Sequence, residues 1–281
     1  MSKILHIVPG AADQWNGMVV AAKLLANESD AKVIDARQVV GRMVSECDEV
    51  WVHSTWSWPV WRGCLLALLA RKKLVRMPHG NLDPVRLKYH PVRKWLVGSI
   101  ERFFLRRADV IVATCEDEKN WVQKYEPRVR KIRIVDLKRY FKLERQGAPS
   151  LQRDDNLLHI LFLGRRHPLK GIVYLEKALM ALRGVELRIV STAFGEEKDK
   201  NWGWCDVLVL PTLSENFGLV IAEALERGKC VITTDGAPAW GDGNNYGGRL
   251  VYLRGYRKGS TEDRVRLLKE SILNLKSNLE R

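Results

Sequence analysis

The chain has 281 residues, with 47 Lys or Arg against 33 Asp or Glu, a formal net charge of +14. Hydrophobic residues make up 46% and charged ones 28%, which suits one large core or two medium ones and excludes a disordered chain. Five scattered cysteines with no CxxC pair argue against a disulfide framework or a zinc module and fit a reducing cytosol. The N-terminal run MSKILHIVPG lacks the apolar stretch of a signal peptide, and no apolar run nears the roughly 20 residues that cross a bilayer. A cytoplasmic protein is the expectation.

The predicted elements alternate. Strands are expected at 3–8, 32–35, 49–54, 73–77 and 109–114, where short apolar runs are rich in Val and Ile. Helices are expected at 17–28, 59–71 and 91–107, the last opening on Pro91, which suits a first helical turn. The stretch 143–156, LERQGAPSLQRDDN, is polar and aperiodic and reads as a linker. Alternation then resumes, with strands expected at 158–164, 186–191, 206–211, 229–233 and 249–253 and helices at 171–182 and 217–227. A last amphipathic helix is expected over 261–280, with Val265, Leu268, Ile272 and Leu275 on one stripe. The fold class is therefore α/β, with two doubly wound parallel sheets. The expected domains are 1–145, a linker at 146–157, a second domain at 158–260 and a terminal helix at 261–281. Two such units would place a ligand in the cleft between them, at the carboxyl ends of the strands.

The most informative segment is 208–240. A strand ends at Pro211, a polar loop follows, and Phe217–Gly218 opens a helix. Gly218 allows close approach of the backbone to a ligand, and a helix start offers free N–H groups and a positive dipole end, a combination that suits a phosphate. Glu215 and Glu223 bracket the segment with seven residues between them. Most glutamates at such spacing are solvated helix charges. Glu223, however, sits among Val220, Ile221, Ala222, Ala224 and Leu225, where an unpaired carboxylate is costly.

The string SENFGLVIAEAL, followed by an apolar strand and TTDGAP, resembles the retaining family-4 glycosyltransferases of the GT-B fold, whose E-x7-E signature the two glutamates match. Upstream, the strand at 158–163 and GRRHPLKG resemble that family's Gly-Arg, short loop and Lys-Gly pattern, with Arg165 and Lys170 at the basic positions. The segment MPHGNLDP, with His79 and Gly80, resembles another family stretch, and Gly17 alone stands for its glycine-rich turn after the first strand. The resemblance implies two Rossmann-like domains facing each other across a cleft. It implies transfer of a sugar from a nucleotide-diphosphate sugar, such as a UDP- or GDP-sugar, to an acceptor hydroxyl with retention. Arg165, Lys170 and the helix start at Gly218 would stabilise the departing diphosphate. Glu215 and His79 would meet the donor sugar and Glu223 the ribose, while Asn216, Phe217, Gly218, Leu219 and Gly17 would contribute donor contacts. Neither a metal nor another cofactor is expected, since no Asp-x-Asp motif is present. Only 44 residues separate Lys170 from Glu215, fewer than is usual in the family, so a nucleotide domain lacking a strand and a helix or two is expected.

The charge is uneven. Residues 1–150 hold 27 Lys or Arg and 16 Asp or Glu, a net +11, against 20 and 17, a net +3, in residues 151–281. The first half thus points to an anionic partner, unless it carries only the ordinary surplus of a basic protein. Residues 86–107 combine seven Lys or Arg with Trp95, Leu96, Ile100, Phe103, Phe104 and Leu105. Two readings stand: an interfacial helix on an anionic membrane, or a core stripe with a solvated basic face. The first agrees with a lipid-linked or saccharide acceptor at the inner membrane and a role in lipopolysaccharide or surface-polysaccharide assembly. A catalytically weak relative acting as a binding or scaffold partner is the alternative. Nucleic acid is not expected as a partner, since no recognition motif is present.

Overall fold

The structure is a computed structural model that describes residues 2–12, 17–27, 29, 31–143, 157–191, 193 and 195–280. The chain divides into two compact units, residues 1–137 and 138–281.

The first unit holds β1 (Ile4–Val8), α1 (Gly17–Ala26), β2 (Ala31–Asp35), α2 (Gly41–Ser45), β3 (Glu49–His53), α3 (Trp58–Leu69) and β4 (Lys73–Met77). It continues with α4 (Pro84–Leu87), α5 (Pro91–Arg107), β5 (Val110–Ala113), α6 (Glu116–Tyr125) and β6 (Ile132–Ile134). Its sheet runs β2-β1-β3-β4-β5-β6, and every pairing is parallel. The second unit opens with a 3-10 turn and holds β7 (Leu158–Leu163), α7 (Ile172–Leu179), β8 (Val185–Val190), α8 (Gly195–Trp204) and β9 (Val207–Leu210). It closes with α9 (Leu219–Glu226), β10 (Cys230–Thr234), β11 (Leu250–Leu253) and α10 (Thr261–Leu279). Its sheet runs β11-β10-β9-β7-β8, again parallel throughout. Counted within each unit, both sheets follow the doubly wound order 2-1-3-4-5, the first with one strand more. Strand order reverses between β1 and β3 in one unit and between β7 and β9 in the other, and these switch points are where ligands bind such sheets.

Burial on both faces explains the sequence pattern. Strands β7, β9 and β10 are buried along their whole length, so they read as continuous apolar runs rather than alternations. The edge strand β8 is only half-buried. Helix α10 starts at a capping box in which Ser260 and Asp263 satisfy each other's backbone N–H groups. It packs on α7 through a buried stripe of Leu268, Ile272, Leu275 and Leu279, so residues 261–280 are part of the second unit rather than an appendage.

Five elements lie outside the sequence expectation: the short helices α2 and α4, strand β6, and helices α6 and α8. Strand β6 is three residues long with Arg133 at its centre, and it is made by pairing with β5 rather than by an apolar run. Helices α6, EDEKNWVQKY, and α8, GEEKDKNWGW, are mostly polar. Their acidic first turns favour helix starts through the dipole without leaving an apolar stripe to read. The contact boundary at Leu137 falls inside the stretch assigned to the first domain. Beyond it, Lys138 pairs with Asp242 at 2.6 Å, the Phe141 ring stacks on Phe217, and the Lys142 N–H donates to Glu226 at 3.1 Å. The expected linker, 146–157, lies outside the described residues except for Leu157.

The first unit also buries an ion pair. Arg76 of β4 and Glu101 of α5 meet at 2.7 Å with both side chains fully inaccessible. Glu101 also accepts from the Trp61 indole at 2.7 Å and the Trp56 N–H at 3.1 Å, while Arg76 donates to the Ser54 carbonyl and to the Cys64 sulfur. Removing one partner strands the other charge in a dry core. Glu101→Ala is therefore expected to lower unfolding free energy by about 3–5 kcal/mol, and Arg76→Met with Glu101→Leu to recover much of the loss, both measured by urea denaturation.

Candidate functional site

In the second unit the loops after β7, β9 and β10 press together. A Cβ on Gly171 would lie 2.0 Å from the Pro211 carbonyl oxygen, and one on Gly236 2.1 Å from that of Thr212, so only glycine fits at either position. The Leu169 carbonyl accepts from the Leu213 N–H at 2.7 Å and the Thr212 hydroxyl at 3.0 Å, and the Glu215 N–H donates to the Gly236 carbonyl at 2.7 Å. Backbone bonds thus fix the loop carrying Lys170 against the loop carrying Glu215, at the β7/β9 switch point.

The side chains follow. Lys170 forms an ion pair with Glu215, and both keep partial exposure, 20% and 15%. The other Glu215 oxygen accepts from the Asn216 N–H at 3.2 Å. Gly218 takes a left-handed φ of 73° and stands directly before α9, so the chain turns sharply and the first-turn N–H groups of α9 follow immediately. The Phe217 side chain is committed to packing: the ring lies against Trp240 and Phe141, and its carbonyl accepts from the Trp240 indole. Leu219 is the first residue of α9. Arg165 is exposed in the loop after β7. Glu223 is not joined to Glu215; its carboxylate lies 2.7 Å from Lys198 of α8, with the same oxygen buried and outside good hydrogen-bond angles.

In the first unit Gly17 opens α1, and His79 follows β4 with φ 56°. Ser54 and Trp56, after β3, are also left-handed at 73° and 63°. Such strain in non-glycine residues persists only when surroundings over-determine it, and here they do. The Ser54 N–H donates to the Met77 carbonyl and its own carbonyl accepts from Arg76. The Gly80 N–H donates at 2.6 Å to Glu118 of α6, which also accepts from Thr114. Burial raises the Glu118 carboxyl above its ordinary range. His79 is buried and accompanied by two further buried histidines: His53 Nδ1 lies 2.8 Å from His79 Nε2, and His6 Nδ1 2.9 Å from His53 Nε2. Burial lowers all three, His6 to about 4 and His79 to about 3, with Arg86 adding to the shift at His79.

Two doubly wound parallel units of this kind match the GT-B fold. Residues 21–136 match the family described as Glycosyltransferase Family 4, and residues 149–254 that described as Glycosyl transferases group 1; the chain belongs to these glycosyltransferases. Among solved structures it is similar to Anabaena HepE in complex with UDP-glucose, at 15% identity and TM-score 0.66, covering 100% of this chain and 94% of that one. It is similar to sucrose-phosphate synthase of Thermosynechococcus elongatus, at 13% identity, TM-score 0.68 and coverage of 100% and 92%. It also resembles the apo form of the lipopolysaccharide outer core galactosyltransferase WaaB, at 17% identity, TM-score 0.62 and coverage of 99% and 93%. No curated protein matches by sequence.

Sequence reasoning missed Lys198, because α8 has no apolar periodicity to place it. It also missed His6, His53, Arg76, Glu101 and Glu118. Their one signal was a polar residue inside an otherwise apolar strand or beside a buried helix face, as in ILHIV and KLVRM. No group of three or more His, Cys, Asp or Glu among the described residues is placed to hold a metal ion.

The lowered histidines set a pH dependence. Between the ordinary histidine value near 6.5 and the folded values, the unfolded chain binds more protons than the native one, so stability falls as pH falls. The native carboxyl of Glu118, being raised, opposes this at the acid end. Melting temperature is expected to drop on acidification from about pH 6.5 toward pH 4, and His6→Asn to flatten that slope in scanning calorimetry.

Proposed function

We propose that the protein transfers a sugar from a nucleotide-diphosphate sugar to an acceptor hydroxyl with retention at the anomeric carbon, in lipopolysaccharide or surface-polysaccharide assembly. The observation that carries this reading is the Lys170–Glu215 pair beside the start of α9. A cation and first-turn N–H groups at one switch point suit a diphosphate, whose negative charge grows as the anomeric carbon–oxygen bond breaks. Exposed Arg165 adds a second cation that swings onto the leaving group. Glu215, released from Lys170 when the diphosphate takes the ammonium, accepts hydrogen bonds from the sugar hydroxyls. Glu223, steadied by Lys198, does the same for the ribose, and Asn216, Gly218 and Leu219 offer backbone contacts. In the first unit, His79 meets the sugar and Gly17 the donor. The acceptor proton leaves on a phosphate oxygen of the departing diphosphate, so no side-chain nucleophile is required. The cations and the helix dipole take the place of a metal, and activity is expected to persist in a chelator. UDP in complexes of HepE makes uridine the first nucleotide to test.

Melting-temperature shifts with UDP-, GDP-, ADP- and CMP-sugars identify the donor. With that donor, Lys170→Ala and Glu215→Ala are each expected to lower donor hydrolysis about 100-fold or more while melting within a few degrees of wild type. Wild-type rates in both variants refute the assignment. A protein that is shifted by no donor and hydrolyses none is instead the binding or scaffold partner.

A peripheral membrane position at the cytoplasmic face is part of the same proposal, and α5 supports it. Of its apolar residues, Phe104 and Leu105 enter the core, so the core-stripe reading accounts for part of the helix only. Val92, Trp95 and Leu96 are 70%, 80% and 63% exposed, with Ile100 and Phe103 beside them, and Arg93, Arg102 and Arg107 are exposed along the same helix. No helix is long and apolar enough to cross a membrane among the described residues. An outward aromatic stripe flanked by cations suits an interfacial site over anionic lipid. Trp95→Ala with Phe103→Ala is expected to lower binding to vesicles containing anionic lipid at least tenfold in sedimentation assays. Equal binding to purely zwitterionic vesicles sinks the membrane assignment.

A further inference from the structure

The three buried histidines form a chain with a strict logic. His6 lies in β1, His53 ends β3, and His79 follows β4, so the chain crosses the β1/β3 switch point and runs out to the loop after β4. The rings are stacked at 5.1–5.2 Å with interplanar angles of 28° and 29°, and His6 stacks further on Trp51 at 5.1 Å. The chain is acted on by burial, by the imidazoles themselves, His79 and His6 on His53, and by cations, Arg76 of β4 on His53 and Arg86 of α4 on His79. Glu118 of α6 is occupied by the Gly80 and Thr114 groups next to the chain. All of this favours neutral imidazoles.

A neutral imidazole has one N–H and one bare nitrogen. If His79 donates from Nε2 to His53 Nδ1, His53 must carry its proton on Nε2, must donate to His6 Nδ1, and leaves His6 with its proton on Nε2 as well. If His6 donates from Nδ1, then His53 and His79 must both be protonated on Nδ1. The chain therefore permits two states, all Nε2–H or all Nδ1–H, and any mixture loses a buried hydrogen bond. We propose that His53 and His6 are positioning residues that lock the tautomer of His79 to their own, so that its remaining nitrogen, Nδ1, meets a sugar hydroxyl only in the sense the whole chain shares, accepting when all three carry Nε2–H and donating when all three carry Nδ1–H. The proposal rests on the reading of His79 as a sugar contact. The tautomer of a metal-free histidine is usually set by one carboxylate or carbonyl; here it is tied to that of two further imidazoles.

The test is ¹⁵N–¹H correlation spectroscopy of the full chain labelled at histidine, in which protonated and bare ring nitrogens resonate far apart. From about pH 6 to pH 8, across the ordinary histidine range, His6, His53 and His79 are expected to stay neutral and to share one tautomer. A mixed set, or any one of the three titrating near its ordinary value in the folded protein, overturns the proposal with no variant needed. His53→Phe keeps a ring but breaks the chain, and His79 is then expected to show both tautomers; an unchanged single tautomer also overturns it. In donor hydrolysis, His53→Phe and His79→Ala are expected to lower kcat by similar factors and to be non-additive when combined. A shared tautomer together with full turnover in His79→Ala would leave the chain standing and remove His79 as the sugar contact, so the two failures are distinguishable.

Discussion

A parallel sheet covered on both faces has no solvated side, so its strands become mostly apolar and most polar chemistry is displaced to their carboxyl ends. That constraint organises both units. The strands β7, β9 and β10 are wholly buried, and the candidate site residues follow them: Lys170 after β7, Glu215 after β9, and Gly236 after β10, whose carbonyl holds the Glu215 N–H. In the first unit the same displacement puts His53 at the end of β3 and His79 just beyond β4. In the second sheet the strand order brings the Lys170 and Glu215 loops to the β7/β9 switch point, and in the first it sets His79 one strand beyond the β1/β3 switch point.

The two units hold their polar groups by different means, and magnitudes separate them. Arg76 and Glu101 are inaccessible to water; breaking such a pair costs several kcal/mol, so it acts as a fixed post from which Ser54 and Trp56 are held in strained conformations. Lys170 and Glu215 keep part of their solvent contact, so breaking that pair leaves neither charge wholly dry. The first arrangement is rigid because losing it is costly. The second is exchangeable: on the proposed reading, a diphosphate offering Lys170 more charge than one carboxylate would displace Glu215 without stranding a charge in a dry core. The close backbone approaches at Gly171 and Gly236 allow this, since the loops are positioned by main chain rather than by the pair itself.

That division also decides what was legible in the sequence. The strands of both sheets except β6, the longest helices and the Glu215–Glu223 and Arg165–Lys170 spacings could be read because each is local: an apolar run, a periodic stripe, a motif within one loop. Glu215 and Lys170 are brought into contact. Glu223 instead meets Lys198, a partner hidden because α8 is built from acidic first-turn residues and Trp202 rather than from a stripe. The histidine chain was illegible for a different reason. His6, His53 and His79 are separated by 47 and 26 residues, and only the 2-1-3-4 strand order makes them neighbours. A lone histidine in an apolar strand carries no sign of the ring it will touch.

The basic surplus reads differently once its members are located. Of the cations in the first unit, Arg76 is consumed in the core. Arg102 lies over the Tyr125 ring at 4.5 Å, Arg106 faces the buried Glu126 at 3.5 Å, and Lys94 folds back onto the Arg86 carbonyl. These side chains tie α5 to its own unit, and the long-range field of the half is carried by those that remain outward, such as Arg93 and Arg107. Even Arg107 sits over the Phe103 ring at 5.1 Å, which places charge and exposed aromatic surface at one spot. Charge alone would serve any polyanion, and apolar exposure alone would serve any apolar partner. Their coincidence on one helix face is what the proposed contact with anionic lipid rests on, and it comes from the arrangement of a few side chains rather than from the total of +14.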